Sequence, residues 1–458
     1  MRTPLSCVVL LAFAQVVGAQ SPAPRAAAGP TLTLDEALSL AKKNNPLFLQ
    51  ARNGRTRAGA ALRSARGAFV PSLSANLSGG YREGIPQSFG GVALGATSST
   101  VSSNLQLNAN LDLSPSVWMN SGQQRLAVAA SESDVDNAGL QLRAFVVQQY
   151  MTALQQAARV RLQDTLLANT QAQLELTKAK QAAGSATDLD ARRAEVQVGQ
   201  QQVATLQARN QAEVEKLRLF QQLGVPQPGD VRLVTELPVG RIDLSLAQLL
   251  DEARRQNPVL RAYQAREEAS GVAVRRQKFQ YLPSLNLSAG VSGYTQKYVE
   301  GGYVGSLPAA QQPSVQAAND RFPFDFTRQP YTVGLSLNLP IFDGFGREGR
   351  VDLAEADRSD ARYNTRAEEL KLTADVTAAY LTIQTDLQSV DLNAKNALTA
   401  REALQLAEQR YRVGLSSIVE VIQARADFET AENSRINSVY QFHRDFATLE
   451  SAVGRPLR

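Results

Sequence analysis

Four short stretches that alternate apolar and polar residues constrain this chain more than any other feature of its sequence. In the clearest, Asn104 to Leu113, every odd position is apolar and every even position is polar. Only a β-strand places side chains two residues apart on one face, so each stretch predicts a strand with a single apolar face. The four predicted strands span residues 72–81, 104–113, 284–294 and 331–339.

These strands have the features of membrane-spanning strands. Their polar faces carry Asn, Ser, Thr, Gln and Asp, without the Lys and Glu that are common on soluble sheets. Each is about 9–11 residues long, which a tilted strand needs to cross a bilayer. An ordinary antiparallel sheet on a soluble core is the less favoured alternative. Aromatic residues near both ends resemble the two girdles of a membrane barrel: Phe69, Tyr81, Trp118, Tyr281, Tyr294, Tyr331 and Phe342.

A sheet exposed to lipid has to close on itself, because an open edge would leave backbone N–H and C=O groups unpaired in the membrane. The smallest membrane barrels have about eight strands, whereas this chain offers only the four predicted ones. We therefore expect several copies of the chain to contribute strands to one barrel.

The first 19 residues have the pattern of a secretory signal peptide. Met1-Arg2 is a short basic start, Leu5 to Val17 is apolar, and Val17-Gly18-Ala19 has the small side chains that a signal peptidase reads. Residues 20–31 are expected to form a flexible leader. The only cysteine, Cys7, lies in the signal peptide, so no disulfide is expected in the mature chain.

The rest of the chain contains the same block twice, which indicates a tandem duplication. An offset of 212 relates Asn45-Pro46 to Asn257-Pro258, and an offset of 230 relates Gly184 to Gly414. We expect a first repeat at 32–226, a linker at 227–243 and a second repeat at 244–456.

Long helices are the second structural feature. Two proline-free runs, 116–183 and 345–413, predict helices that could each reach roughly 100 Å. Val376, Ile383 and Val390 show the seven-residue spacing of a left-handed coiled coil. Shorter helices at 46–69 and 187–222 together match the length of one long helix, and we expect them to stack end to end beside it, as in the wall of a tube.

Together these features resemble the outer-membrane efflux proteins of the TolC family, the exit ducts of tripartite export systems. The most specific matches are the duplicated Asn-Pro and Pro-Ser-Leu blocks, Leu337 to Gly344 (LNLPIFDG) and Tyr411 to Ser417 (YRVGLSS). The resemblance implies an α+β membrane protein that forms a homotrimer. Its four strands per chain would form a 12-stranded barrel in the outer membrane, continued by an antiparallel coiled-coil tube through the periplasm. The implied partners are a periplasmic adaptor and, through it, an inner-membrane pump.

The turns at 184–187 and 414–417 link the two helices of each hairpin, and each pairs a C-cap glycine with an N-cap hydroxyl residue. Thr187 with Asp190, and Ser417 with Glu420, have capping-box spacing. The resemblance implies that these tips dock on the adaptor, although Ser185 departs from the family pattern where the second tip has Leu415. The implied docking residues are Gly184, Ser185, Val413, Gly414, Leu415, Ser416 and Ser417.

The resemblance also implies a gate near the tips. Tyr411 matches the family's gate tyrosine, Asp190 its acidic partner and Glu420 one acidic ring position. Gln423 replaces the second acidic residue, so we expect one acidic ring and weaker cation selectivity. The alternative role of Asp190 and Glu420 is a favourable charge at a helix start.

Catalysis and nucleic-acid binding have no support in the sequence. Its net charge of +5, from 48 basic and 43 acidic residues, is not clustered as in nucleic-acid-binding proteins. The single histidine, His443, has no Cys or phosphate loop to work with, so we expect neither an enzyme nor a cofactor. A trimeric coiled-coil structural or adhesive surface protein is the alternative function. Within the duct interpretation, both small-molecule efflux and protein secretion fit.

Overall fold

The computed structural model describes residues 31–96, 98–229, 231–235, 238–240, 243–300 and 303–457. The predicted signal peptide, almost all of the predicted leader and parts of the predicted linker lie outside the described residues.

The first half begins with two short helices, continues with strands and ends with a helical hairpin. Its elements are β1 (Thr31–Leu32), α1 (Leu34–Asn44), α2 (Pro46–Gly67), β2 (Ser72–Arg82), β3 (Pro86–Phe89), β4 (Val92–Ala96), β5 (Thr100–Leu113), α3 (Pro115–Ala182) and α4 (Asp188–Leu223).

The second half has the same general order, with short helices inserted between its strands. Its elements are β6 (Arg232–Leu233), α5 (Leu246–Gln256), α6 (Pro258–Lys278), β7 (Ser284–Tyr298), α7 (Tyr303–Ser306), α8 (Gln312–Asp320), β8 (Thr327–Arg328), β9 (Thr332–Asn338), α9 (Gly346–Arg412) and α10 (Ile418–Val453).

The four long strands form one antiparallel sheet in the order β2-β5-β7-β9, and the short β8 pairs with β7 beside β9. The register places apolar residues directly opposite one another, as in the pairs Leu77–Leu105 and Leu287–Leu335. One face is therefore apolar across all four strands. Polar pairs occupy the alternate positions, for example Ser74–Asn108 and Asn286–Ser336.

The strands differ from the predicted bounds mainly at the end away from the helices. There β5 begins at Thr100 and β7 continues to Tyr298, because backbone pairing continues past the point where apolar alternation stops. The first connecting loop contains the β3–β4 hairpin, and the second contains α7 and α8. Neither insertion was predicted from the alternation.

Two helices of 68 and 67 residues, α3 and α9, determine the length of the helical part. At 1.5 Å per residue each is about 100 Å long. Each turns back into a shorter helix of 36 residues, α4 or α10. The two shorter helices differ in their neighbours: α10 packs on both α9 and α3, whereas α4 packs mainly on α3.

The short helices stack end to end, and a buried asparagine forms the first joint. Asn45 Nδ2 donates to the Gln222 carbonyl in the last turn of α4 at 2.8 Å. Its Oδ1 accepts from the first two available N–H groups of α2, at 2.9 and 3.1 Å. Gly224 has φ +74°, and a Cβ there would lie 2.5 Å from a backbone oxygen of α1. The joint therefore requires both the asparagine and the glycine.

The second joint repeats this construction between α10 and α6. Asn257 Nδ2 donates to the Ala452 carbonyl at 2.9 Å, and its Oδ1 caps α6. Gly454 has φ +94°, and a Cβ there would lie 2.7 Å from the Asn257 Cα. The two Asn-Pro blocks in the sequence thus mark the two joints.

The described core lies between the helices rather than in the sheet. Its largest fully buried side chains include Tyr150, Phe442 and Met151. No helix within the described ranges is both long enough and apolar enough to cross a membrane.

Candidate gate and docking tips

The apolar face of the sheet is exposed in the single chain. Leu73 on β2 is 82% exposed and Leu335 on β9 is 68% exposed. No described element covers these positions, although large apolar side chains on a water-soluble sheet would normally pack on a core. The exposed apolar face therefore has the character of a lipid-facing surface.

Both outer edges of the sheet lack a neighbour within the described chain. The ladder of β2 runs only to β5, and the ladder of β9 runs only to β7. Each edge carries backbone donors and acceptors that a membrane cannot satisfy.

Six of the predicted girdle residues flank the apolar face at its two ends, and all are exposed. Tyr81 and Tyr331 lie at the end towards the connecting loops. The other four lie near the helical end: Phe69, Trp118, Tyr281 and Phe342.

Tyr294 is an exception among the predicted girdle residues. Its register partner is Asn104, which also pairs with Ser78, so Tyr294 lies on the polar face of the sheet. Its hydroxyl donates to Gln296, another residue of that face. The even position of Tyr294 in the alternation is the physical reason, because the apolar residues of β7 occupy odd positions.

The first tip is a tight turn fixed by its own side chains. Gly184 has φ +73°, and Thr187 and Asp190 form a complete capping box. The Asp190 carboxylate accepts from the Thr187 hydroxyl at 2.7 Å and from its N–H at 3.1 Å. These two bonds hold the pKa of Asp190 below its ordinary value, and the bond from the hydroxyl has the larger effect. Gln181 Nε2 also donates to Asp188 Oδ1 at 3.2 Å.

The second tip has the same backbone but only half of a capping box. Ser417 Oγ accepts from the Glu420 N–H at 3.4 Å. The Glu420 carboxylate binds Arg410 Nη1 at 3.0 Å instead of returning to the Ser417 backbone. The reciprocal bond that capping-box spacing suggests is therefore absent here, because an arginine of α9 lies within reach.

Tyr411 is buried where the two hairpins meet. Its hydroxyl lies 3.2 Å from Thr177 Oγ1 on α3. Lys180 Nζ donates to the Tyr411 carbonyl and lies 4.4 Å from the centre of its ring. Within one chain the tyrosine is thus held by α3, and the Asp190 carboxylate is bound to Thr187.

Most of the other predicted tip residues face solvent; Ser416 is half-buried, and its hydroxyl donates to the Ala407 carbonyl at 3.4 Å. Val413 and Leu415 are each 71% exposed. Gln423 donates to Asp427 on its own helix at 2.9 Å. The tips thus present apolar side chains beside the polar groups of the turns.

Comparison with known proteins identifies the family. The sequence model described as "Outer membrane efflux protein" matches residues 37–225 and 249–455, one match in each half. The chain belongs to the outer membrane efflux protein family. The resemblance to TolC-like proteins is therefore confirmed, as is the outer-membrane location. The chain is an outer-membrane efflux or export channel with a long periplasmic helical portion.

Relatives and solved structures agree with this assignment. The chain is 24% identical to Nodulation protein T of Rhizobium leguminosarum bv. trifolii, over 78% of this chain and 72% of that protein. It is 26% identical to the pyoverdine export outer membrane protein OpmQ of Pseudomonas putida, over 74% and 67%. Its fold matches the open state of the Neisseria gonorrhoeae MtrE outer membrane channel with a TM-score of 0.72 and 20% identity, covering 93% and 89%.

Three residues at the tips of this efflux channel were missed in the sequence: Thr177, Lys180 and Arg410. Lys180 and Arg410 stand four residues before Gly184 and Gly414, so the offset of 230 relates them. That shared basic position was a usable signal, but the different partners of the two side chains could not be predicted from it.

Proposed function

We propose that this channel is the outer-membrane exit duct of a tripartite efflux or secretion system, opened at its periplasmic tips by an adaptor. The observation that carries the proposal is one sheet with a continuous exposed apolar face and two unpaired edges, joined to helical hairpins about 100 Å long. A duct through membrane and periplasm accounts for both parts.

Closure of the sheet supports a ring of identical chains. In the order β2-β5-β7-β9 the strands alternate in direction, so β9 of one chain can pair antiparallel with β2 of the next. Such a head-to-tail contact generates a closed ring when the rotation fits. A trimer, as the family resemblance implies, would have 12 strands and no open edge.

The helical part has a matching unpaired surface, which we call the α4 stripe: Leu189, Val196, Val203, Leu206 and Leu217. All five side chains are exposed. The offset of 230 relates Leu206 to Ile436, and the exposed fractions are 65% and 5%. Ile436 belongs to the apolar cluster that includes Leu162 and Leu166 of α3. We infer that the α4 stripe packs on α9 of the neighbouring chain, in the way that α10 packs on α3 of its own chain.

The equivalence of the two halves supports a tandem duplication. Adding 230 to the bounds of α4 gives those of α10, and the two Asn-Gly joints have the same hydrogen bonds. In the assembled duct each half would contribute two columns of helix to the wall. The six outward aromatic residues would form the girdles, and Tyr294 would line the interior.

The tips are the proposed site of opening and docking. Val413 and Leu415 present exposed apolar surface next to the turn, which suits a protein partner. The predicted docking residues of the first tip, Gly184 and Ser185, lie in a turn without a comparable apolar side chain. We therefore propose that the second tip provides the larger part of the adaptor contact.

The gate proposal assigns closure to Tyr411, Asp190 and Glu420. In a ring of chains, the carboxylates of the half-buried Asp190 and the exposed Glu420 at the tips would form the acidic constriction. Gln423, bound to Asp427, would leave Glu420 as the acidic ring of the second tip.

Single-channel conductance in planar bilayers tests this function. We expect a low, flickering conductance from the wild-type protein and a sharp rise in the double variant Tyr411→Phe with Asp190→Ala. Thr187→Ala is the matched control, because it weakens the same cap but keeps the carboxylate. A wide, permanently open wild-type pore would contradict the gate and keep the duct. Folded oligomers without conductance in any variant would favour the structural or adhesive alternative.

A further inference from the structure

The tip of α3 carries a lysine that no part of the gate proposal uses. Lys180 lies in the last turn of α3, and its ammonium reaches across to α9 of the other hairpin. We propose that Lys180 is the latch that keeps the two hairpins of one chain together at their tips, so that opening requires its release from Tyr411. This inference rests on the proposed gate.

The ammonium makes two favourable contacts with the same residue. It donates to the Tyr411 carbonyl, which lies in the last turn of α9, where the negative end of the helix dipole favours a cation. It also lies 4.4 Å from the centre of the tyrosine ring, which favours a cation over its face. Because Tyr411 is buried, both contacts are partly shielded from water.

The first tip offers Lys180 no free carboxylate of its own. Asp190 is bound by Thr187, and Asp188 accepts from Gln181 at 3.2 Å. Both acidic residues of the turn are therefore already engaged, and the lysine is available to bind the other hairpin.

At the second tip, the residue related to Lys180 makes a different contact. Arg410 is related to Lys180 by the offset of 230, and it binds Glu420 across its own turn at 3.0 Å. The arginine therefore closes one hairpin, whereas the lysine connects two.

The position of the contact explains its proposed role. Higher in the tube, α3 and α10 are joined by polar pairs such as Gln155–Asn437 at 2.6 Å and Gln163–Glu429 at 2.8 Å. At the tips, the contact from α3 passes to α9 through Tyr411, by Thr177 and Lys180. Separating the tips of one chain would break these bonds before the pairs higher in the tube.

The experiment compares Lys180→Met with Lys178→Met in planar bilayers. Methionine keeps much of the length of the side chain but removes the charge and the donor. Lys178 lies two residues away, is exposed, and pairs with Glu175 on its own helix at 3.6 Å, so its substitution is the control. Oligomeric state in detergent and the circular dichroism spectrum show whether each variant folds.

We expect Lys180→Met to raise the open fraction about tenfold, since a charge-assisted hydrogen bond and a cation–π contact are lost together. Lys178→Met should resemble the wild type, and Lys180→Arg should restore the low conductance because it keeps the charge and the donors. The effect of Lys180→Met should persist in a Tyr411→Phe background, which retains the carbonyl and the ring.

A second measurement reports the tips directly. Spin labels on cysteines placed at Ser185 and Leu415, both exposed, measure the distance between the tips by pulsed electron paramagnetic resonance. Lys180→Met should lengthen or broaden that distance, and Lys178→Met should not.

The outcomes separate the latch from the gate. If Tyr411→Phe with Asp190→Ala opens the pore while Lys180→Met changes neither conductance nor tip distance, the latch is wrong and the gate stands. If no variant conducts, the proposed function fails and the latch fails with it.

Discussion

The two halves of this efflux channel use the same backbone in different surroundings. In the second half, α10 lies between α9 and α3, and its large apolar side chains are buried or half-buried, except for Val419 in its first turn. In the first half, α4 lies at the edge of the chain with its apolar stripe exposed. The difference indicates that the single chain is not the complete folded unit. The second half shows the packing that the first half can reach only with a neighbouring chain.

The same comparison applies to one carboxylate on each return helix, buried on α4 and half-buried on α10. Glu215 on α4 accepts bonds from Gln149, Gln211 and Arg218, at 2.9, 2.7 and 2.7 Å. The related residue on α10 is Asp445, which accepts from Gln441 and faces a second carboxylate, Asp386 of α9. The same offset of 230 relates two of the donors, Arg218 and Gln149, to Thr448 and Ala379, which cannot make these bonds. The carboxylate of the second half therefore faces another carboxylate, whereas the carboxylate of the first half binds Arg218.

The largest expected effect is on assembly, from Leu206→Glu in the α4 stripe. Because Leu206 is 65% exposed in the single chain, its replacement leaves the chain's own core intact. In the assembled ring the same change would bury a carboxylate against α9 of the next chain, which is strongly unfavourable. We expect loss of the trimer, measured by light scattering of the protein in detergent.

Two control variants sharpen that test. Gln200→Glu adds the same charge at another exposed position of α4. Its related residue in α10, Thr430, is exposed too, so this variant should assemble normally. Ile436→Ala at the related buried position should destabilise each chain by about 2–4 kcal/mol. A stable trimer of Leu206→Glu would show that the α4 stripe is not an interface between chains.

The joints are where the two halves agree, so matched substitutions should have equal effects. Asn45→Ala and Asn257→Ala each remove a buried side chain that caps one helix and binds the end of another. We expect each to cost about 1–3 kcal/mol of unfolding free energy, because a buried carbonyl and two N–H groups lose a partner. Denaturant unfolding measures both. A large cost at one joint only would show that the halves are not equivalent in energy.

The positions of the main elements could be predicted from local patterns, because strand alternation and proline-free helical runs depend only on neighbouring residues. The prediction of 345–413 for the second long helix compares with Gly346–Arg412 in the structure. The even number of Tyr294 in the alternation already placed it on the polar face of the sheet, although its position near a strand end suggested an aromatic girdle residue. The β3–β4 hairpin has no such alternation, so it was missed.

The contacts between elements could not be predicted, since they depend on which helix faces are brought together. Thr177 and Tyr411 are far apart in sequence and meet only because α3 and α9 approach at their tips. The facing of Asp386 and Asp445 has the same origin. Likewise, nothing local distinguishes Lys180, which crosses to the other hairpin, from Arg410, which does not.

The carboxylate pair predicts a smaller, pH-dependent effect. The pKa of Asp386 is raised from 3.8 to about 6. Burial of the carboxyl is the largest cause, followed by its hydrogen bond to Asp445 and the charge of Asp445. The folded chain thus holds the proton more tightly than the unfolded chain, so this contribution to stability is present at low pH and is lost as the pH rises through about 6.

We therefore expect Asp386→Asn to be more stable than the wild type by about 1 kcal/mol at neutral pH, because it removes the repulsion from Asp445, which solvent partly screens at this half-buried position. The difference should shrink towards pH 4, in thermal unfolding followed across that range. Glu215→Gln in the first half is the comparison, and it should lower stability at neutral pH because Arg218 loses its carboxylate. Equal pH profiles for wild type and Asp386→Asn would contradict the raised pKa of Asp386.

The smallest effects concern the turns, where the two tips differ in one bond. Asp190→Asn keeps an acceptor for Thr187 but removes the charge at the start of α4, which should cost about 0.5 kcal/mol. Since its pKa is lowered, the wild-type carboxylate stabilises at neutral pH and this contribution is lost as the pH falls. Glu420→Gln should cost about as little, because its pair with Arg410 is exposed.

These small costs make the turns a clean place to separate capping from gating. Hydrogen exchange at the first amides of α4 and α10 measures the caps, and conductance measures the gate. Thr187→Ala should speed exchange at α4 as Asp190→Asn does, since both weaken the same capping box. If conductance then follows Asp190→Asn but not Thr187→Ala, the carboxylate acts on the pore itself, whereas a parallel response would reduce Asp190 to helix capping.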